Sequence, residues 1–209
     1  ADLVLLAVPP SQAVQLYDAW CKAPPRGVVA DLCSVKSPLV PALRRLAAAG
    51  AKVGSFHPMF GPSTTVLRGS DVVLCRTGNA AAEATLRSLF SLTSARIVEV
   101  DLEQHDRLMA DVLTLAHATA IAFAASLDDA PPGTQSTTFR KLRDVAVSVV
   151  VESPQVYYEI QSGNPHSDAA LARLEASVVR LRKIVADRDP AAFRCLMEEG
   201  RRRLAGESQ

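Results

Sequence analysis

Histidine and serine side chains are the first candidates for chemistry in this chain of 209 residues. His57 lies in the stretch SFHPMFGP, between an aromatic residue and a proline. Its imidazole titrates near neutral pH and could accept the proton of a substrate hydroxyl. A histidine in such an apolar turn can equally be a half-buried structural residue. The choice between a general base and a packing residue depends on what the fold brings near it.

A second polar loop follows another apolar run. In VVADLCSVKSPLV, residues 28–40, the side chains of Asp31, Ser34 and Lys36 come directly after a predicted strand. The carboxyl ends of parallel strands meet at one edge of a sheet, where ligands bind. We therefore expect Ser34 and His57 at one mouth, with the Lys36 amine either beside it or solvated at the surface. Ser34 could instead cap the following helix.

The elements that position these loops change in kind near residue 100. Before it, short runs rich in Val, Leu and Ile alternate with Ala-rich helical stretches, which is typical of a parallel sheet with helices on both faces. After it, only helical periods remain. The predicted fold class is α/β followed by all-α, with half of a doubly wound sheet over residues 1–100 and a helical domain over residues 101–209. A ligand would lie in the crevice between them.

The expected bounds of these elements follow from the same patterns. Strands are predicted at residues 2–8, 27–32, 51–56, 71–77 and 95–100. Helices are predicted at residues 11–20, 38–49, 80–90, 104–126, 138–153, 154–162, 166–186 and 190–204, and the clearest loop at 128–135. The apolar stretch 112–127 is interrupted by His117 and several Thr and Ala, and it is interpreted as a buried core helix rather than a membrane span.

Composition argues against several classes of partner. The 23 Lys and Arg against 22 Asp and Glu give a net charge of +1, so no global field attracts nucleic acid or an anionic membrane. The four cysteines are widely spaced and form no pattern with histidine that is typical of zinc, so no metal site is predicted. They are interpreted as reduced thiols of a cytoplasmic protein.

Together these motifs resemble those of the prephenate dehydrogenases of tyrosine biosynthesis, over nearly the whole chain. ADLVLLAVPP is similar to the fourth strand of the family's Rossmann domain and its loop over the dinucleotide. DLCSVKSPL resembles the family's serine-valine-lysine loop, and SFHPMFGP resembles its catalytic histidine motif. EQHDRLMADVLTLAHATAIAFA looks like the entry and first helix of the dimerising domain, and STTFRKLRDVAVSVVVESPQVYYEIQSGN resembles the helix pair that follows.

The resemblance implies an NAD- or NADP-linked oxidative decarboxylation of prephenate or a related cyclohexadienyl compound. It implies that His57 takes the proton of the ring hydroxyl and that Ser34 holds this hydroxyl and the nicotinamide in register. Lys36 would supply positive charge, and His117 would face the substrate from the helical domain. The cofactor would lie against Val8, Pro9, Pro10, Asp31 and Ser34. The resemblance also implies a homodimer formed through the helical domain.

The nucleotide-binding half departs from the family pattern. The chain begins at what resembles the fourth strand, and it contains no G-x-G-x-x-G turn, the element that cradles the pyrophosphate. Either the first third of a larger protein is absent from this sequence, or the gene product is naturally short.

The substrate pocket shows a second departure. In an ungapped alignment the family's substrate-carboxylate arginine falls on Ser148, and a hydroxyl cannot replace a bidentate guanidinium. Arg143 lies about 140° away around the same helix, so it could reach the pocket only from another direction. We therefore expect a substrate that lacks this carboxylate or presents it differently.

Three functions remain open at this point. The first is a prephenate or arogenate dehydrogenase with its front part absent. The second is a relative that acts on a different cyclohexadienyl or aromatic compound, with Ser148 marking the change. The third is a non-catalytic binding or regulatory protein without dinucleotide.

The remaining histidines are assigned smaller roles. His117 is either a substrate contact or a packed core residue. His105 and Asp106 are expected to set the start of the first long helix, because an acidic residue in a first turn is favourable to the helix dipole. His166, which follows the turn SGNP, is expected to be exposed.

Overall fold

The structure is a computed structural model that describes residues 1–61, 64–128 and 133–206. Pro62 of the histidine motif and residues 129–132 of the predicted loop lie outside these ranges. The described residues form a five-stranded sheet followed by a run of helices, which confirms the predicted fold class.

The sheet has the order β1-β2-β3-β4-β5. Its strands are β1 Leu3–Leu6, β2 Val28–Asp31, β3 Lys52–Pro58, β4 Asp71–Arg76 and β5 Arg96–Asp101. The pairs β1–β2, β2–β3 and β4–β5 are parallel, whereas β3–β4 is antiparallel. The expectation of an entirely parallel sheet is therefore wrong at β4. A parallel return needs a crossover connection, usually a helix, and the described part of the segment between β3 and β4 contains no helix.

Helices follow the predicted order with small shifts at their ends. In the α/β half they are α1 Pro10–Trp20, α2 Val40–Ala48 and α3 Ala80–Ser88. In the helical half they are α4 His105–Met109, a π-helical segment Ala110–Leu115, α5 Ala116–Ala125, α6 Thr137–Val150, α7 Pro154–Gly163, α8 Ser167–Ala186 and α9 Pro190–Ala205. Proline in the first turn of α1, α7 and α9 costs no hydrogen bond, which explains these starts.

Alternate residues of the strands face opposite helical layers. Val29, Val53 and Val73 share one apolar core with α1 and α2. Phe56 and Leu74 point to the other face, in a core shared with α3. Both faces of the central strands are thus covered, as predicted for strands without polar alternation.

The segment α4 to α5 forms one apolar helix over His105–Ala125, with a π-helical middle. By length and composition it could cross a bilayer, and 22% of its most apolar stretch is buried. The prediction of a buried core helix is therefore wrong for the single chain. The helix packs against α6 and, along its π-helical middle, against α8, while side chains such as Val112 and Ile121 remain exposed in the single chain.

Candidate active site

His57 lies in β3 itself rather than in a loop after it. It is paired with Val73 in the antiparallel register and is 4% exposed. The antiparallel pairing with β4 fixes its backbone, whereas β2 pairs only with the earlier part of β3, up to Ser55. The imidazole therefore occupies one defined position at the rim of the sheet.

A chain of hydrogen bonds runs from His57 into the helical half. Its Nδ1 lies 3.1 Å from Nε2 of His105, and Nδ1 of His105 lies 2.7 Å from Oδ1 of Asp106. The Asp106 carboxylate also accepts the backbone N–H groups of Lys36 at 2.8 Å and Ser37 at 2.7 Å. One buried carboxylate thus holds both the histidine pair and the loop that carries Ser34.

These hydrogen bonds determine which nitrogen of His57 carries a proton. Ionised Asp106 can only accept hydrogen bonds, so Nδ1 of His105 must be the donor. Nε2 of His105 is then the acceptor, and Nδ1–H of His57 donates to it. The other nitrogen of His57, Nε2, is left with a free lone pair and can act as a base.

The pKa values of these groups support that assignment. Burial lowers the pKa of His57 from 6.5 to about 2, and the nearby Lys36 ammonium and His105 add to the effect. Burial likewise lowers the pKa of His105. Burial alone would raise the pKa of Asp106, but hydrogen bonds from His105, Ser37 and Lys36 outweigh it and lower this pKa to about 2. Both histidines are therefore neutral at physiological pH, and Asp106 is ionised.

Lys36 and Asp31 form an ion pair beneath the site. The Lys36 ammonium lies 2.5 Å from Oδ1 of Asp31 and donates to the carbonyl of Phe56 at 2.9 Å. The hydroxyl of Tyr17 donates to the other oxygen of Asp31 at 3.1 Å, and both members of the pair are fully buried. Neither residue lines a described cavity. The expectation of a solvated Lys36 amine is therefore wrong, and the pair anchors the 31–36 loop against β3. The roles of Lys36 toward the substrate and of Asp31 toward the cofactor stay predictions.

Two open cavities meet above this network. The first, of about 540 Å³, lies against the β1–α1 loop, the loop after β2 and one face of α7. It is lined by Leu6, Ala7, Val8, Pro9, Pro10, Leu32, Cys33, Ser34, Val35, Val156, Glu159 and Ile160.

The second cavity, of about 440 Å³, lies between the end of β3 and the helical half. It is lined by Ser34, His57, Pro58, Met59, Phe60, Gly61, Leu113, His117, Ser148, Glu152, Val156, Tyr157 and Ile160. Ser34, Val156 and Ile160 line both cavities, so the two adjoin at these residues.

The helical half supplies the far wall of the second cavity. His117 packs edge-on against Tyr157 with ring centroids 4.7 Å apart, and its Nδ1 is buried without a hydrogen-bond partner among the described residues. Ser148 lines the wall but its hydroxyl donates to the carbonyl of Val145. Arg143, predicted as a substrate contact, lines neither cavity: its guanidinium is exposed and lies 3.9 Å from Asp144.

With this geometry in place, comparison with known proteins identifies the family. Residues 1–99 match the family domain described as "Prephenate dehydrogenase, nucleotide-binding domain". Residues 101–199 match "Prephenate dehydrogenase, dimerization domain". The chain belongs to the prephenate dehydrogenase family. The predicted family and the dehydrogenase class are thereby confirmed.

Individual family members show how far the likeness extends. The chain is 32% identical over 211 residues to 4-amino-4-deoxyprephenate dehydrogenase of Streptomyces pristinaespiralis, and the match covers 95% of this chain and 69% of that protein. It is 22% identical over 218 residues to a probable arogenate/prephenate dehydrogenase of Methanocaldococcus jannaschii, covering all of this chain and 49% of that protein.

Among solved structures, the chain is similar to prephenate dehydrogenase of Aquifex aeolicus in complex with hydroxyphenyl propionate and NAD⁺. The TM-score is 0.71 at 20% identity, and the match covers 98% of this chain and 76% of that one. This likeness confirms a shared fold.

Sequence reasoning missed part of this prephenate dehydrogenase site. His105 and Asp106 do begin α4, as expected, but both are buried and link His57 to the backbone of the 36–37 loop. The polar run Glu-Gln-His-Asp at residues 103–106 is the sequence feature that could have indicated this link. Glu152 and Tyr157 were not singled out, although their spacing from Ser148 on adjoining helices could have indicated a shared wall. His166 is exposed, as predicted.

Proposed function

We propose that this chain provides the substrate site and the nicotinamide end of the cofactor site of an NAD(P)-dependent dehydrogenase. The reaction is the oxidative decarboxylation of a prephenate-like cyclohexadienyl compound. The substrate lies in the second cavity and the nicotinamide in the first. The observation that carries this proposal is the free Nε2 of His57 in the substrate cavity, next to the Ser34 hydroxyl that adjoins both cavities.

The first cavity fits the nicotinamide end of a dinucleotide in chemistry. Val8, Pro9, Pro10 and Leu32 give it an apolar wall suited to the flat ring, and Ser34 offers a hydroxyl at its inner end. No Gly-rich turn for the pyrophosphate occurs in the sequence. When bound, NAD(P) supplies an acceptor for the hydride that leaves the substrate ring.

His57 is the general base of the proposed reaction. Its Nε2 takes the proton from the ring substituent at the carbon that is oxidised. The positive charge that forms on the imidazole is stabilised through Nδ1–H and His105 by the ionised carboxylate of Asp106, in the manner of a buried carboxylate behind a catalytic histidine. Loss of carbon dioxide from the opposite ring carbon then leaves its electron pair in the ring, and the ring substituent takes the proton back from His57 as the aromatic product forms.

Ser34 positions the reacting group. Its hydroxyl can accept from and donate to the ring substituent while remaining in contact with the nicotinamide cavity. The loop that carries it is held by the Lys36–Asp31 pair on one side and by Asp106 on the other. This double anchoring keeps the substrate ring and the nicotinamide in register.

We further propose a homodimer in the cytoplasm. The second half of the chain matches the family's dimerization domain, and the apolar face of α5 is uncovered in the single chain. A second copy on this face would bury side chains such as Ile121.

The test is the substitution His57→Asn in the full-length protein. With prephenate, arogenate and 4-amino-4-deoxyprephenate as trial substrates, we expect kcat to fall roughly 10²- to 10⁴-fold on whichever is turned over. His166→Asn, at an exposed histidine, is the matched control and should retain full activity. An unchanged rate in His57→Asn would remove this residue from the mechanism. Failure of the wild type to bind NAD or NADP would favour a non-catalytic binding protein.

A further inference from the structure

One charged side chain lies in the wall of the first cavity. Of the described residues that line this cavity, Glu159 alone carries a charge, and the others are apolar apart from Ser34 and Cys33. Glu159 is half-buried. A carboxylate in an otherwise apolar wall is favourable where a cation or hydrogen-bond donors face it. The first cavity is therefore suited to a ligand that brings a positive charge to this wall.

The geometry of α7 places Glu159 on the side of the first cavity. Val156, Ile160 and Gly163 recur at helical spacing along one face of α7. This face packs on the loop after β2, since a Cβ placed on Gly163 would lie 3.6 Å from Cγ1 of Val35. Val156 and Ile160 line both cavities, whereas Glu159, on the same face, lines the first and not the second. The helical half thus adds one carboxylate to a cavity that the α/β half otherwise forms.

No cation of the described residues compensates this carboxylate. Gln155, one turn earlier in α7, donates from Nε2 to Oε1 of Glu159 at 2.8 Å, which holds the side chain through a neutral partner. None of the ion pairs among the described residues includes Glu159. Lys36 and Asp31, beneath the loop, are paired with each other. The net charge that the wall presents is therefore the negative charge of Glu159.

We propose that Glu159 makes the cofactor site selective for the oxidised nicotinamide. The proposal rests on the proposed function, which assigns the nicotinamide to the first cavity. The ring of NAD(P)⁺ carries a positive charge, and it becomes neutral when it accepts the hydride. The carboxylate attracts the ring before hydride transfer, and this attraction is lost afterwards. Glu159 thereby favours binding of the oxidised cofactor and release of the reduced one.

Binding of the two cofactor forms tests this directly, because they differ at the ring and share the rest of the molecule. Calorimetric titrations of the full-length protein with NAD⁺ and NADH, and with NADP⁺ and NADPH, give the ratio of the Kd of the reduced form to that of the oxidised form. Glu159→Gln keeps the size of the side chain and its contact with Gln155. It should lower this ratio roughly 3- to 10-fold by weakening the oxidised form. Glu175→Gln, at an exposed acidic residue of α8 outside both cavities, should leave the ratio unchanged.

Salt and turnover give two further readouts. Because the interaction is between charges, rising salt should lower the wild-type ratio, and the ratio of Glu159→Gln should depend less on salt. In turnover, Glu159→Gln should raise KM for the oxidised cofactor by the same roughly 3- to 10-fold. The inhibition constant of the reduced cofactor should stay unchanged.

The outcomes separate the two proposals. If turnover depends on His57 but the ratio of Kd values is the same in Glu159→Gln and in the wild type, the inference about Glu159 is wrong and the proposed function stands. Equal weakening of both cofactor forms is one such result, and it would mean that Glu159 only shapes the cavity. A higher ratio in Glu159→Gln would also overturn the inference. If the wild type binds neither form of either cofactor, both proposals fail.

Discussion

The neutrality of buried His57 predicts a measurable dependence of stability on pH. The unfolded chain binds a proton at this histidine with an ordinary pKa of 6.5, whereas the folded chain binds it with a pKa of about 2. Since the unfolded state takes up the proton more readily, the free energy of unfolding falls as the pH drops below 6.5. Above 6.5 the contribution of His57 is fully retained.

The size of this effect follows from the two pKa values. Between pH 7 and pH 5 the unfolded histidine becomes protonated while the folded one stays neutral, which costs about 2 kcal/mol of unfolding free energy. His57→Asn removes the titrating group, so the variant should lose about 2 kcal/mol less than the wild type over the same interval. Contributions of titratable groups that do not interact with His57 are present in both proteins and cancel in the comparison.

Urea denaturation of the full-length protein at the two pH values measures this difference, with fluorescence and circular dichroism as parallel probes to establish a single transition. His166→Asn is the control, because this histidine is exposed and the variant should follow the wild type. If the wild type and His57→Asn lose the same stability between pH 7 and pH 5, His57 is not held neutral by burial. The assignment of a free Nε2 base would then lose its physical basis.

Three further substitutions test the network behind His57. Asp106→Asn should lower unfolding free energy by about 1.5–3 kcal/mol in urea denaturation, because hydrogen bonds from His105 and two backbone N–H groups lose their charged acceptor. His105→Leu should lower kcat roughly 10- to 100-fold with KM unchanged. His105→Gln, whose amide can still hydrogen bond to His57 and Asp106, should retain part of the rate. Equal kcat values for the two variants would refute a positioning role of His105. Lys36→Met should cost about 3–5 kcal/mol because Asp31 is left as an unpaired buried charge, against about 0.5 kcal/mol or less for Lys183→Met in an exposed ion pair.

Most of the fold could be predicted because its signals are local. Apolar runs such as VVAD and DVVLCR define β2 and β4, and proline or a capping residue marks the start of helices such as α6, where Ser136 accepts from the Phe139 N–H. The direction of β4 could not be predicted in this way. Strand direction depends on how the chain returns between β3 and β4, and the apolar pattern of a buried strand is the same in both directions.

The site was predictable only where the chemistry lies near one strand end. Ser34 follows β2 and His57 lies near the end of the neighbouring β3, so their proximity is a consequence of a sheet edge. The contact between His57 and His105 spans 48 residues and two domains, and no local pattern encodes it. For the same reason the burial of Lys36 could not be predicted: its charge is visible in the sequence, but its pairing with Asp31 is a result of tertiary packing.

The hydrogen bonds of Asp106 link the tautomer of His57 to the contact between the α/β half and the helical half. The carboxylate of Asp106 belongs to the helical half, yet it accepts hydrogen bonds from the backbone N–H groups of Lys36 and Ser37 in the α/β half. Within the helical half, the side chain of Asn164 donates to the backbone carbonyl of Asp106 at 2.7 Å. If the domains separated, His105 would lose its place opposite His57, and nothing would hold the His57 proton on Nδ1. Contact between the two halves therefore favours the tautomer of His57 that leaves Nε2 free. In the proposed reaction, the contacts between the two halves would thus prepare the base as well as form the cavity.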